Sequence, residues 1–451
     1  MTTMKPLALA VLTAGVLGSS NLALAGGSSA DDRIAALEAQ VAELTAILAA
    51  QQQANVVQEE TIAANTASIQ TNVADIEEAR PMAKGTKFTY GGFIQLDAIA
   101  TDYSEGKPAN KLIDDFLLGS LIPVEPAEGK ADSYSSFNMH AKTSRFFFTT
   151  ATDTDVGKIS SRIELDFILS GSGDERISNS WNSRLRHAFL KWDYSENSSI
   201  LAGQSWSTFF NVGALPDNLD FVGPVGTIFV RQPQIRWTMG GLQLAVENAA
   251  TRLNGVDWDN DHEGIPDLIA RYNGKWGDFG WSLAGMTREL SYEDRSELSV
   301  EGGNDSQFGY ALSLAGKWML GENDLRFMFN YGDALGRYMG LNVFNDGYVD
   351  ASGDIETIDQ WGGFIAYRQV WSPRWNSTFS YSMAEADNPS VGDYASALSL
   401  AESYQSAHAS LNYHPTPKLR FGGELIWAEK ELEDGRSGDM SRFQFAAKYA
   451  F

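Results

Sequence analysis

Ser441-Arg-Phe-Gln-Phe-Ala-Ala-Lys-Tyr-Ala-Phe451 decides how the chain is read. Phe443, Phe445, Ala447, Tyr449 and Phe451 form one apolar row, and Arg442, Gln444, Ala446 and Lys448 form a mostly polar one. Alternation with period two is the pattern of a strand with one greasy and one wet face. A strand ending on an aromatic residue fits the last strand of a barrel closed in lipid, where terminal aromatics join the interfacial girdle. A final strand of a soluble sandwich is the competing reading.

The rest of the chain favours the barrel. Of 451 residues none is Cys, which excludes a disulfide framework, a thiolate metal site and a Cys nucleophile. Aromatic residues at 12% and 42 glycines suit many strands, girdles and turns. A net charge of -24 argues against nucleic acid as a partner. The first residues read as a secretory signal over 1–25: Lys5, an apolar run over 7–17, then Ala23-Leu24-Ala25 before Gly26. No segment approaches 18 consecutive apolar residues, so strands rather than helices are expected to cross the membrane.

Residues 30–80 carry a seven-residue register. Ile34, Val41, Leu48, Asn55, Ile62, Ile69 and Ile76 fall at a; Leu37, Leu44, Gln51, Gln58, Asn65 and Asn72 fall at d. Such heptads predict an α-helical coiled coil, and amides at d set register or oligomer state at a cost in stability. Ile62-Ala-Ala-Asn65-Thr66 and Ile69-Gln-Thr-Asn72 resemble the I-x-x-N-T repeats of trimeric autotransporter stalks. That resemblance implies a trimer axis at Asn65 and Asn72. A solvated spacer helix is the alternative. Pro81 and Gly85 end the helix within a linker over 81–87.

From residue 88 to 451 the period changes to two, and sixteen antiparallel strands are predicted. Connections after even-numbered strands are short and those after odd-numbered strands mostly long, as in an up-and-down transmembrane barrel. Both termini and the coiled coil then lie on the periplasmic side. Alternation turns Arg145, Arg162, Arg236, Arg271, Arg288, Lys317, Arg326, Arg368, Arg420, Arg442 and Lys448 inward. Arg184, Arg186 and Arg231 lie on strands that alternate too poorly to be assigned a face. An Arg-lined wall selects anions. The competing reading pairs each Arg with a wall carboxylate such as Glu164, Asp166, Glu247 or Glu424.

The connection over 207–227 carries Phe209, Phe210, Leu215, Leu219, Phe221 and Val222, too apolar for a loop in water. It is expected to fold into the barrel, with Asp217, Asn218 and Asp220 lining the constriction; a surface cap is the alternative. The loop over 257–267 spaces Asp259, Asp261, Glu263 and Asp267 like a Ca²⁺ loop, although Ala270 stands where the bidentate acid is expected. Ca²⁺ binding and a plain acidic loop end both stay open. Outer-surface acids are expected to meet lipopolysaccharide through divalent ions. With five His and no nucleophile elbow or H-E-x-x-H helix, the chain is not read as an enzyme.

Heptads over 34–76, Phe88-Thr-Tyr-Gly-Gly-Phe-Ile-Gln-Leu-Asp97, Arg184-Leu-Arg-His-Ala-Phe189, Leu201-Ala-Gly-Gln-Ser-Trp-Ser-Thr-Phe209 and Pro266-Asp-Leu-Ile-Ala-Arg-Tyr272 together resemble the DcaP-like porins of Gram-negative bacteria. The resemblance implies an outer-membrane homotrimer with a periplasmic coiled coil, passing small organic anions such as dicarboxylates. Two other functions stand beside that expectation. One is a non-selective or cation-preferring pore; the other is an envelope tether whose stalk contacts peptidoglycan.

Overall fold

The computed structural model describes residues 85–169, 178–256, 264–293 and 304–451, with isolated residues between 41 and 52. Those isolated residues, Val41, Leu44 and Leu48 among them, are helical and exposed. The expected signal segment, the remainder of the coiled coil with Asn65 and Asn72, and Asp259, Asp261 and Glu263 lie outside the described residues.

The wall begins with β1 (Lys87–Tyr103), β2 (Tyr134–His140), β3 (Arg145–Thr154), β4 (Gly157–Asp166), β5 (Arg184–Ser195), β6 (Ser198–Trp206), β7 (Arg231–Met239) and β8 (Leu242–Glu247). After the short β9 (Leu253–Asn254) come β10 (Asp267–Trp276), β11 (Phe279–Glu293), β12 (Asn304–Leu320) and β13 (Asn323–Gly332). Two more short strands, β14 (Gly347–Val349) and β15 (Ile355–Thr357), form a separate small sheet in which β14 pairs with both β15 and β9. The wall ends with β16 (Gln360–Ser372), β17 (Trp375–Ala386), β18 (Ala401–Thr416), β19 (Leu419–Leu432) and β20 (Ser437–Ala450).

Every wall neighbour is antiparallel, and β20 pairs back onto β1 from Phe93↔Ala450 to Tyr103↔Met440. The sheet therefore closes, and its backbone groups find partners without water, as a bilayer demands. β2 and β3 are one wall position broken over 141–144, since β1 pairs with β2 along Asp97–Tyr103 and with β3 along Lys87–Phe93. Counted so, the described residues form a sixteen-stranded barrel.

Seven hairpins at one end turn in two residues; six are shorter than the sequence suggested, because the strands run further toward that end, and Gly277-Asp278 is as expected. Gly277 in one of them sits at φ 56°, the left-handed conformation that tight hairpins require. The alternation predicts the faces. Phe329 and Tyr331 are 50% and 38% exposed while Met328 and Asn330 are buried. Leu283, Leu312, Leu314, Phe379, Leu425 and Phe443 continue the outer apolar band, and Trp276, Trp318, Trp371 and Trp375 lie close to the short turns.

The other end of the lumen is filled by protein. Connections 104–133, 207–230 and 333–359 pack against one another inside the wall, in an apolar cluster that includes Ile113, Phe116, Phe209, Phe210, Phe229, Tyr338 and Met339. Gly226 shows how tightly the second of these lies on the wall: a Cβ there would meet the Gly363 nitrogen at 2.5 Å. Its amide donates to Ser382 Oγ at 2.9 Å, and its carbonyl accepts from Asn330 Nδ2 at 3.2 Å. Loop 207–230 thus runs within the barrel against β13, β16 and β17 rather than capping it.

Candidate permeation pathway

β4 supplies the first group of charges through simple alternation, since Arg162, Glu164 and Asp166 share its inner face. β5 does not alternate simply. Register shifts between Glu164 and Leu165, so that Arg186 is an extra residue on β5. The bulge brings Arg184, Arg186 and His187 inward together. Glu164 accepts from Arg186 Nε at 2.9 Å and Arg162 Nε at 3.1 Å, with Arg145 Nε 3.4 Å away. Asp166 accepts from Arg184 Nε and Arg186 NH1, both at 2.7 Å. Each carboxylate is buried and fully engaged.

Arg231 completes this group from β7. Its guanidinium lies 4.3 Å from the Trp206 ring centroid, and Arg186 lies 5.9 Å from the same ring. Its NH1 is buried and has no hydrogen-bond partner. Among the described residues it has no carboxylate within ion-pair distance. Five guanidinium groups thus surround two carboxylates, and the local charge is strongly positive.

A second basic group lies around the wall, near the short turns. Asp324 is fully buried and holds Arg326 at 2.6 Å, Arg368 at 2.7 Å and Lys317 at 3.7 Å. One carboxylate again faces several cations. Arg271 has no acid partner among the described residues; it donates to Asn273 Oδ1 and to the Phe210 carbonyl, each at 2.8 Å. Arg236 faces inward on β7 without an ion-pair partner among the described residues. Lys448 sits 3.7 Å from the Phe93 ring centroid, with Arg145 5.2 Å from the same ring.

The tip of loop 207–230 reaches these groups. Arg326 donates to the Leu215 carbonyl, and Arg420 pairs with Asp217 at 3.2 Å. Asn218 donates to Ser380 Oγ at 3.2 Å. Asp217 is more exposed, at 36% of its side chain, while Asp220 is buried and accepts from the amides of Leu117, Val222 and Gly223. Of the three expected constriction residues, Asp220 therefore shapes the loop from within and does not line open space.

Two of the expected pore-lining arginines are also enclosed. Arg288 has no exposed side-chain surface; Asp346 lies 2.9 Å and Asp267 3.4 Å away, and the Ala250 carbonyl accepts from it at 2.5 Å. Connection 333–359 folds over it, which alternation along β11 does not reveal. Arg442 is 2% exposed and donates to Thr101 Oγ1 at 2.8 Å beneath connection 104–133. Both face inward, but under loops rather than on the open pathway.

Asp267, expected as a Ca²⁺ ligand, is likewise occupied by protein donors. Tyr338 Oη donates to it at 2.5 Å, and Arg337 NH1 approaches to 3.4 Å. Burial and then the Asp267 charge hold the Tyr338 phenol well above its usual range, so it remains a donor. Among the described residues no group of acidic and His side chains is arranged to hold a metal.

A closed sixteen-stranded barrel with an apolar band outside, charged side chains inside and loops folded into its lumen defines a channel of the outer membrane. The sequence matches the DcaP outer membrane protein family over residues 22–451, and the chain belongs to that family. Among solved structures, the fold is similar to the outer membrane channel DcaP of Acinetobacter baumannii, with TM-score 0.66 and 22% identity over 82% of this chain and 98% of that one. The anion-selective porin of Comamonas acidovorans aligns with TM-score 0.48 and 11% identity, covering 81% of this chain and 100% of that one. OmpT of Vibrio cholerae aligns with TM-score 0.48 and 10% identity, covering 82% of this chain and 99% of that one. No curated protein matches the sequence.

Proposed function

We propose that this channel passively admits small organic anions, with dicarboxylates as the favoured class. The observation that carries the proposal is the excess of guanidinium over carboxylate in the lumen, largest where Arg145, Arg162, Arg184, Arg186 and Arg231 meet Glu164 and Asp166. Planar guanidinium forks accept carboxylates in two-point contacts, and several in reach of one another pass an anion along without trapping it. The heptads over 30–80, with Asn65 and Asn72 at d, support a homotrimer whose stalk lies in the periplasm.

The test is the reversal potential of purified protein in a planar bilayer under a salt gradient, followed by addition of succinate. Anion preference with current block by the dianion is expected. Cation preference without block would refute the reading. One observation favours that second outcome: Glu385, Glu402, Glu429, Glu431, Glu433 and Asp439 crowd the long-loop edge of β17–β20. Deleting 30–80 and measuring oligomer mass separates the stalk from the pore. A trimer that persists unchanged would remove the stalk from assembly.

A further inference from the structure

Glu424 is an inward carboxylate with no Arg or Lys in ion-pair distance among the described residues. Its side chain is fully buried. Oε2 accepts the backbone amides of Leu219 and, at 3.2 Å, Asp220. Oε1 faces His408 Nδ1 of β18 at 2.7 Å. The buried wall acids Glu164, Asp166 and Asp324 are engaged by arginines, whereas Glu424 places one oxygen against the wall and the other on the loop.

We propose that Glu424 is the positioning residue of the constriction: it clips the tip of loop 207–230 to β19 and so fixes the width of the pathway. The inference rests on that tip lining the pathway. By holding the Asp220 amide, the clip orients the Asp220 carboxylate, whose Oδ1 accepts from Val222 and Gly223 at 3.0 and 2.9 Å. Oδ2 accepts from Leu117 at 2.7 Å, which ties connection 104–133 to the same turn. Asp217 and Asn218, immediately before the clip, then project at a set height against Arg420 and Ser380.

Glu424→Gln keeps the shape but replaces one acceptor oxygen with a donor NH2. With the NH2 on the loop side both loop amides lose their acceptor; with the NH2 toward His408 the imidazole must switch tautomer to accept, and the two loop amides keep only a neutral oxygen in place of a charged one. The released fraction of the tip rises about tenfold, the equivalent of one charge-assisted hydrogen bond. Glu424→Asp keeps the charge but withdraws it by one methylene, and serves if the first variant does not fold. Single-channel recording reads the release as rapid fluctuation and a changed mean conductance.

Because the chain has no Cys, a rescue can be engineered. Asn218→Cys with Ser380→Cys, added to either variant and bridged by a short bis-methanethiosulfonate, pins the tip where its native hydrogen bond holds it. Quiet current that returns on bridging and is lost on reduction is expected. Wild-type noise and conductance in both unbridged variants would overturn the proposal. So would noise that bridging leaves unchanged, since a general loss of barrel order would explain it. Asp217→Cys separates the two levels of the argument. If a charged methanethiosulfonate there changes conductance while both Glu424 variants behave as wild type, only the clip fails. If it changes nothing, the constriction reading fails first.

Discussion

Replacing Arg288 with Met is the sharpest test of how the inner loops are held. The side chains of Arg288, Asp267 and Asp346 are all fully buried, and Arg288 is the cation between the two acids. It also donates to the Ala250 carbonyl at 2.5 Å and the Ala334 carbonyl at 3.3 Å. Breaking a buried pair by removing one partner typically costs about 3–5 kcal/mol. Asp267 keeps Tyr338 and Arg337, while Asp346 loses its ion pair, so the cost falls mainly on the loop that carries Asp346. The barrel itself is closed by hydrogen bonds that Arg288 does not touch. Connection 333–359 should therefore undock without the wall unfolding, its opening favoured by roughly 10²–10³·⁵-fold. Amide exchange followed by mass spectrometry reads this directly. Phe229 and Gly340, whose amides donate to the Tyr338 and Thr227 carbonyls, should lose protection while strand amides keep theirs. Neutralising both acids as well, with Asp267→Asn and Asp346→Asn, should recover much of the loss. Unchanged protection in Arg288→Met, or a triple variant as loose as the single one, would refute the reasoning.

Arg231→Gln should move the reversal potential toward cations more than Arg162→Gln does, because Arg231 alone in its group has no carboxylate to compensate it; equal shifts would count against that distinction. On the lipid face, Leu425→Arg, at a residue 62% exposed, should destabilise the folded barrel by about 2–4 kcal/mol in denaturant titration from lipid vesicles. The cost should fall well below this if Leu425 faced the lumen.

Strand count and faces were legible because the period of two is imposed locally by the pleat, as Phe327, Phe329 and Tyr331 against Met328 and Asn330 illustrate. The inward fold of loop 207–230 was legible for a similar reason: six apolar residues have no place in water. What the sequence hid were the contacts made over long separations. Arg186 came inward through a bulge that breaks the period it was judged by. Arg288 and Arg442 were turned to the right side, but loops more than forty residues away in sequence, or at the opposite end of the chain, cover them. Glu424 and Glu247 looked like partners for arginine. Each instead receives loop amides, Glu247 that of Thr208 at 2.6 Å and Glu424 that of Leu219. No composition argument distinguishes a carboxylate that neutralises a wall cation from one that fastens a loop.

That distinction reconciles the proposed anion pathway with a chain of net charge -24. Three inner acids, Glu247, Glu424 and Asp220, accept backbone amides of the loop, and many others sit at the far edge. On β19, Arg420 and Glu431 are eleven residues apart, about 36 Å along the strand. The Debye length is roughly 8 Å at 0.15 M salt and 30 Å at 0.01 M. At the higher salt the acidic edge is screened from the lumen, and on the proposed anion pathway the inner arginines should then set which ion passes. At the lower salt the edge field extends over most of that distance and opposes anion capture. Anion preference should therefore rise as salt increases from 0.01 to about 0.15 M, then fall toward 1 M, where a Debye length of about 3 Å screens the arginines too. A preference that only declines across this range would mean the edge acids do not reach the pathway at any salt, and that the inner cluster alone sets selectivity.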